Sequence, residues 1–133
     1  MESTGNSGGS IMRMWMVDPA LMCNKHLLGE HVETHMLCGS IRKGISMNGF
    51  IRGNIVQLKD LRDRHDSLAS EMTKRGMNHK SPLPEYGNAD GGSVDIFASL
   101  QELKSRCPEC RSLIEDSLGS ESLVCRHIGA KNV

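Results

Sequence analysis

"KHLLGEHVETHMLCGSIRKG", Lys25 to Gly44, governs how the whole chain is read. At about 100° per residue of an α-helix, His26, Glu30 and Glu33 fall within about 60° of one another. His31 and His35 share a neighbouring sector, one turn apart, and Arg42 falls beside them. Leu28, Val32 and Met36 form the opposite arc. The pattern predicts a helix with one apolar face for packing and one broad face of acid, base and cation. A surface helix more usually mixes Lys, Glu, Gln and Ala there. Three His and two Glu between His26 and His35 need a reason.

Upstream, Asp18-Pro19 reads as an N-cap followed by the first helical position. The helix is expected from Pro19 to Lys43, with Gly44 as its stop. Residues 1–11 are dominated by Gly, Ser, Asn and Thr, and read as a flexible leader or a cloning remnant. "MRMWMVD", from Met12, is a short apolar extended segment. Downstream, Asn48-Gly49 reads as a hairpin-like turn. A second helix is expected at Val56–Arg75, where Leu58, Leu61, His65, Leu68 and Met72 repeat at helical spacing. Arg62, Arg64, Lys74 and Arg75 decorate its other faces, and Gly76 ends it. Ser93 is the expected cap of a third helix from Val94, with Ile96, Leu100, Leu103 and Cys107 inward. Pro108 kinks or ends that helix, and a short further turn follows through Ile114. Strand patterns are almost absent. The fold class is therefore all-α: a compact three-helix single domain with long connecting loops, over residues 12–116, then a loosely ordered tail over 117–133.

The totals narrow the function. The chain has 133 residues and no formal net charge, but the charge is unevenly placed. From Ile11 to Pro82 there are eleven Lys/Arg against seven Asp/Glu; from Leu83 to Val133 there are five against eight. A cationic first half suits a polyanion. No run of about 18 apolar residues exists, so no membrane span is expected. No signal peptide is read, and a cytoplasmic location, in a bacterium or a virus-infected host cell, is the expectation. In that compartment the five Cys read as thiols or metal ligands rather than disulfides. Cys23 and Cys38 are expected in the core of the first helix.

Several readings of the polar helix compete. Its His and Glu could satisfy one another by hydrogen bonds in a partly buried helix. His31 and His35, at i and i+4, could hold a metal with His65, as in a metal-dependent hydrolase. Or Glu could work among cations at an acid–base or anion-binding site, with catalysis or as a non-catalytic binding module.

The ordered motifs resemble those of the pyrimidine dimer DNA glycosylases of the phage endonuclease V type. That family's central helix carries His-Leu-Met-Ala-Glu-x-x-Glu and ends in Gly-x-x-Arg-Lys. Here the pattern reads His26, Leu27, Leu28, Gly29, Glu30, Glu33, then Gly39, Arg42 and Lys43. A later family helix carries Leu-Arg-x-Arg and Lys-Arg-Gly-x-Asn. These match Leu61, Arg62, Arg64, then Lys74, Arg75, Gly76 and Asn78.

The resemblance, over residues 12–82, implies a compact three-helix enzyme that excises a base and cleaves the abasic strand. It implies an α-amine nucleophile, which aligns with Met12 if the chain starts there, and a catalytic Glu aligned with Glu33. Lys25 is the substitute amine, and His26 is counted with the catalytic group. The implied partner is damaged double-stranded DNA, bound by a monomer without metal or cofactor. Arg42, Lys43, Arg62, Arg64, Lys74 and Arg75 are the implied phosphate contacts, and Asn78, His79 and Lys80 would rim the pocket of an extruded nucleotide. Two family arginines that hold DNA near the sugar are replaced by Val32 and Met36, with His31 and His35 as protonatable substitutes. The family's aromatic C-terminal segment is replaced by "RCPECRSL". Within it, Cys107-Pro108-Glu109-Cys110 is a C-x-x-C. Zinc completed by Cys125 and His127, a redox pair, and packed thiols are its three readings.

Overall fold

The computed structural model describes residues 13–78 and 81–124, with side chains through Ser117. The described residues are helical and contain no strand. The five α-helices are α1 (Asn24–Arg42), α2 (Asn48–Arg52), α3 (Leu61–Lys74), α4 (Ile96–Arg106) and α5 (Pro108–Val124), with 3-10 turns at Pro19–Leu21 and Leu58–Asp60. The all-α expectation holds, and the count of three becomes five among the described residues.

Each difference has a local cause. Asp18 does cap Pro19, accepting from the Ala20 N–H, but only one turn follows. Met22 and Cys23 then turn extended, and the long helix restarts at Asn24. Asn48-Gly49 opens the short α2 rather than a hairpin turn. The second expected helix splits into a 3-10 turn and α3. Gly76, at φ +80°, ends it as expected, because a left-handed backbone suits glycine. Asp95, not Ser93, caps α4 by accepting from the Ala98 N–H. Pro108 breaks the chain's helical course and then starts α5, as proline does at a first helical position. That helix continues well past Ile114, to Val124.

The largest difference concerns the face α1 buries. Leu28, Val32 and Met36, the expected packing arc, are about half exposed, at 46%, 46% and 50%. Leu27, Glu30, His31, Thr34, Leu37 and Cys38 are buried instead. At about 100° per residue these six occupy one continuous arc of about 120°. The arc is mixed because α1 packs along α3 between two separate apolar clusters. One gathers Trp15, Val17, Met22, Leu27, Leu68, Met72 and Leu103. The other gathers Met14, Leu37, Met47, Val56, Leu58, Leu61 and Leu83. Between them the interface is polar: Glu30, His31 and Thr34 of α1 meet Arg64 and His65 of α3. The α3 stripe of Leu61, His65, Leu68 and Met72 is buried as its spacing predicts.

Candidate active-site cleft

Ahead of the 3-10 turn at Pro19–Leu21, the successive N–H groups of Arg13, Met14 and Trp15 reach different partners. The Arg13 N–H donates to Glu33 Oε1 at 3.3 Å. The Met14 N–H donates to the Ile55 carbonyl at 2.7 Å. The Trp15 N–H donates to Glu30 Oε2 at 3.0 Å. Two carboxylates one turn apart on α1 thus hold the segment from Arg13 to Trp15. A cleft of about 600 Å³ opens beside it, lined by Arg13, Trp15, Lys25, His26, Gly29, Glu30, Glu33, Ile55, Glu102 and Arg106.

The two carboxylates do different work. Glu30 is 1% exposed, and Arg64 takes both of its oxygens, Nε at 2.7 Å and a terminal nitrogen at 2.8 Å. A buried charge needs such pairing, and with the Trp15 N–H its acceptor sites are largely used. Glu33 is only half-buried and accepts one backbone bond. Burial pushes its carboxyl up to about 7; the Arg13 N–H opposes this and the nearby Glu30 charge adds to it. Glu33 therefore holds or releases a proton near neutral pH and faces an open volume.

Cations and rings wall the cleft. The Arg13 guanidinium lies 3.7 Å from the Trp15 ring centroid and pairs with Glu102 at 3.1 Å. Arg106 lies 5.6 Å from the same ring and also pairs with Glu102. Lys25 is exposed at the rim. His26 sets its ring edge to Trp15, with centroids 6.0 Å apart. Burial first, then the charges of Lys25 and Arg106, lower the His26 pKa. Arg13, Trp15, Glu102 and Arg106 were not singled out from the sequence. Glu102 and Arg106 come from α4, some seventy residues from Glu33, and no local pattern ties them to it.

Several expected DNA contacts sit elsewhere. Arg64 is buried on Glu30 and does not face a phosphate. Arg62 donates to the Leu83 and Pro84 carbonyls and lies near the Tyr86 ring. Arg75 donates to Glu71, Asn24 and the Pro19 carbonyl. His31 and His35 turn toward His65, with ring centroids 4.8 to 5.0 Å apart, rather than toward solvent as substitutes for arginine. Arg42, Lys43 and Asn78 are exposed. Lys74 is exposed too, 3.9 Å from Glu71. Met12, His79 and Lys80 lie outside the described residues.

Two side-chain groups have metal-ligand character. The nitrogens of His31, His35 and His65 come within 4.8 Å of one another. There, however, His65 Nδ1 is 2.9 Å from Asp66 and Nε2 is 3.2 Å from the Ser81 carbonyl, so both nitrogens are engaged. The trio belongs to the polar α1–α3 interface and does not line the cleft. The second group is Cys23, His26, Cys107 and Cys110, whose ligand atoms also lie within 4.8 Å of one another. The expected companions of the C-x-x-C are not among the described residues. Cys125 and His127 lie outside them, and among the described residues Cys107 and Cys110 meet Cys23 and His26. Cys38 stays in the core as expected, near the Pro84 carbonyl. Cys23 precedes the helix and joins this group.

No described helix is long and apolar enough to cross a membrane. A family model described as pyrimidine dimer DNA glycosylase matches residues 12–85, more than half of the chain. Neither the curated proteins nor the solved structures gave a match.

Proposed function

The chain belongs to the pyrimidine dimer DNA glycosylase family, and on that footing we propose that it is a DNA repair glycosylase with abasic-site lyase activity, acting through an amine nucleophile and Glu33. The observation that carries this reading is the 3.3 Å bond from the Arg13 N–H to Glu33 Oε1 at the cleft. The residue bonded to that nitrogen is Met12. In a polypeptide that starts at Met12, the free amine is one peptide unit, about 3.8 Å between Cα atoms, from a nitrogen already held by Glu33. Lys25 lines the same cleft and is the second amine.

The chemistry follows from those two groups. An α-amine has a pKa near 8 and is partly neutral at physiological pH. Its lone pair attacks the sugar carbon C1′, the glycosidic bond breaks, and the base departs. The ionised Glu33 stabilises the positive charge that develops on the sugar. It then takes the proton from the new C1′–N bond and delivers it to the ring oxygen as the ring opens to an imine. A carboxyl near 7 is matched to both halves of that transfer. Loss of a C2′ proton then expels the 3′ phosphate and nicks the strand. No step needs a metal.

Arg42, Lys43 and Lys74 are the proposed phosphate contacts, because their charges are exposed; Arg62, Arg64 and Arg75 act structurally. Borohydride trapping on an abasic duplex tests the reading. A chain starting at Met12 forms a covalent adduct that survives Lys25→Ala. Adduct lost with Lys25→Ala moves the nucleophile to Lys25. No adduct from a Met1 or a Met12 start rejects the lyase reading. A gel shift without cleavage would then favour a non-catalytic binding module. Incision of dimer-containing beside abasic duplexes identifies the lesion.

A further inference from the structure

We propose that Cys23, His26, Cys107 and Cys110 form a structural zinc site that clamps the start of α1 to the junction of α4 and α5. The geometry is that of a tetrahedron's edges. With Zn–S near 2.3 Å and Zn–N near 2.0–2.1 Å, tetrahedral ligation puts two sulfurs about 3.8 Å apart, and a sulfur and a nitrogen about 3.6 Å apart. Cys23 Sγ and Cys107 Sγ are 3.8 Å apart. His26 Nδ1 is 3.4 Å from Cys23 Sγ and 3.6 Å from Cys110 Sγ. A disulfide needs sulfurs about 2.05 Å apart, so the Cys23–Cys107 spacing is that of co-ligands and not of a bond.

The backbone around the group fits the same reading. Cys23-x-x-His26 and Cys107-x-x-Cys110 are two short chelating pairs from distant parts of the chain. Each pair straddles a break in helix: the extended Cys23 before α1, and the extended Cys107 before Pro108. The Cys23 N–H points at Cys110 Sγ at 3.3 Å, and the Cys110 N–H at Cys107 Sγ at 3.4 Å. Such N–H groups stabilise thiolate ligands from the outer shell. Three thiolates and a zinc dication leave one net negative charge, and the cations Lys25 and Arg106 line the same cleft as His26. All three Cys are buried and His26 is partly so. Four protein ligands leave no open position, which is the character of a structural site.

The consequence reaches the cleft. α4 and α5 lie outside the matched residues 12–85, yet α4 supplies Glu102 and Arg106 to the cleft wall. The clamp fixes α4 against α1, and so places those side chains opposite Glu33. It also makes His26 a ligand, with its Nδ1 directed at the sulfurs and not at a substrate.

The test is metal content and spectroscopy on the full chain, independent of activity. Protein purified without chelator is expected to carry about one zinc per chain. Cobalt substitution should give thiolate-to-cobalt charge transfer and the visible bands of a tetrahedral ion. Removing zinc with a strong chelator should lower Tm, and added zinc should restore it. Cys110→Ser should abolish stoichiometric binding. If that variant does not fold, His26→Cys decides, because a four-thiolate site should keep zinc and shift the cobalt spectrum. Cys38→Ser should leave the zinc content and the cobalt spectrum unchanged. Wild-type protein that binds neither zinc nor cobalt stoichiometrically overturns the proposal. Loss of zinc in Cys125→Ser or His127→Ala overturns this ligand set.

Discussion

Arg64 on α3 grips both carboxylate oxygens of Glu30 on α1, at 2.7 and 2.8 Å, while Glu30 also accepts the Trp15 N–H. One buried ion pair therefore joins three pieces of chain: the segment leading into α1, α1 itself and α3. It also separates the roles of two glutamates one turn apart. Glu30 holds the scaffold, and Glu33 lines the cleft with a carboxyl raised to about 7.

Breaking that pair should unsettle the fold. Arg64→Met leaves Glu30 buried without its partner, and removing one member of a buried pair costs about 3–5 kcal/mol. Urea denaturation should show a midpoint lowered by that free energy divided by the slope, with the slope unchanged. A variant as stable as wild type would mean that Glu30 is not buried as a charge.

Glu33→Gln should separate activity from stability. The amide keeps the size of the side chain and can still accept the Arg13 N–H, but cannot exchange a proton with the imine. Strand incision should fall by about 10²–10⁴-fold, the usual contribution of general acid–base catalysis. Thermal melts of the two proteins should nearly coincide below pH 4.5, where the carboxyl is protonated in the folded and the unfolded chain alike. Incision at the wild-type rate would remove Glu33 from the mechanism.

The same carboxyl sets a pH dependence. Burial raises it from 4.5 to about 7, so between those values the folded chain keeps a proton that the unfolded chain has released. Stability from this group is fully present below pH 4.5 and is lost as pH rises through about 7. Wild type should therefore lose stability relative to Glu33→Gln across that window. In rate, ionised Glu33 and a neutral amine both favour alkaline pH. The wild-type incision profile should rise through about 7, and the Gln variant should lack that limb. Parallel melting curves from pH 4 to 8 would contradict the assignment.

The exposed stripe of α1 makes a fourth prediction. Val32 and Met36 stand where the resembling family carries arginine, and both side chains are about half exposed beside Glu33. Val32→Arg with Met36→Arg should tighten duplex binding without loss of stability. The slope of log affinity against log salt should steepen by about 0.9 for each additional phosphate that the new arginines neutralise. Fluorescence anisotropy over a salt series measures it; an unchanged slope would place this face away from the DNA.

Local rules account for much of what was legible. The spacing of Leu58, Leu61, His65, Leu68 and Met72 located α3 and its buried side, because a helix meets a neighbour through residues three and four apart. Asp18-Pro19 and Gly76 acted where capping and left-handed backbone place them. The ordered motif from His26 to Asn78 was legible too, and with it the family. In α1 the same reasoning turned the helix the wrong way: Leu28, Val32 and Met36 look like a packing arc until α3 presents Arg64 and His65 to the other side.

The order of residues was enough to fix the helical class, the end of the long α3, and a motif with Glu33 at its centre. Packing was needed to make Glu30 a scaffold charge, to keep Arg64 from solvent, and to set Cys107 and Cys110 beside Cys23 and His26. The difference is one of range. Helix periodicity and capping act over a few residues and can be read along the chain. The partner of a buried carboxylate, or of a thiol, comes from wherever the folded chain brings it, here 34 and 84 residues away.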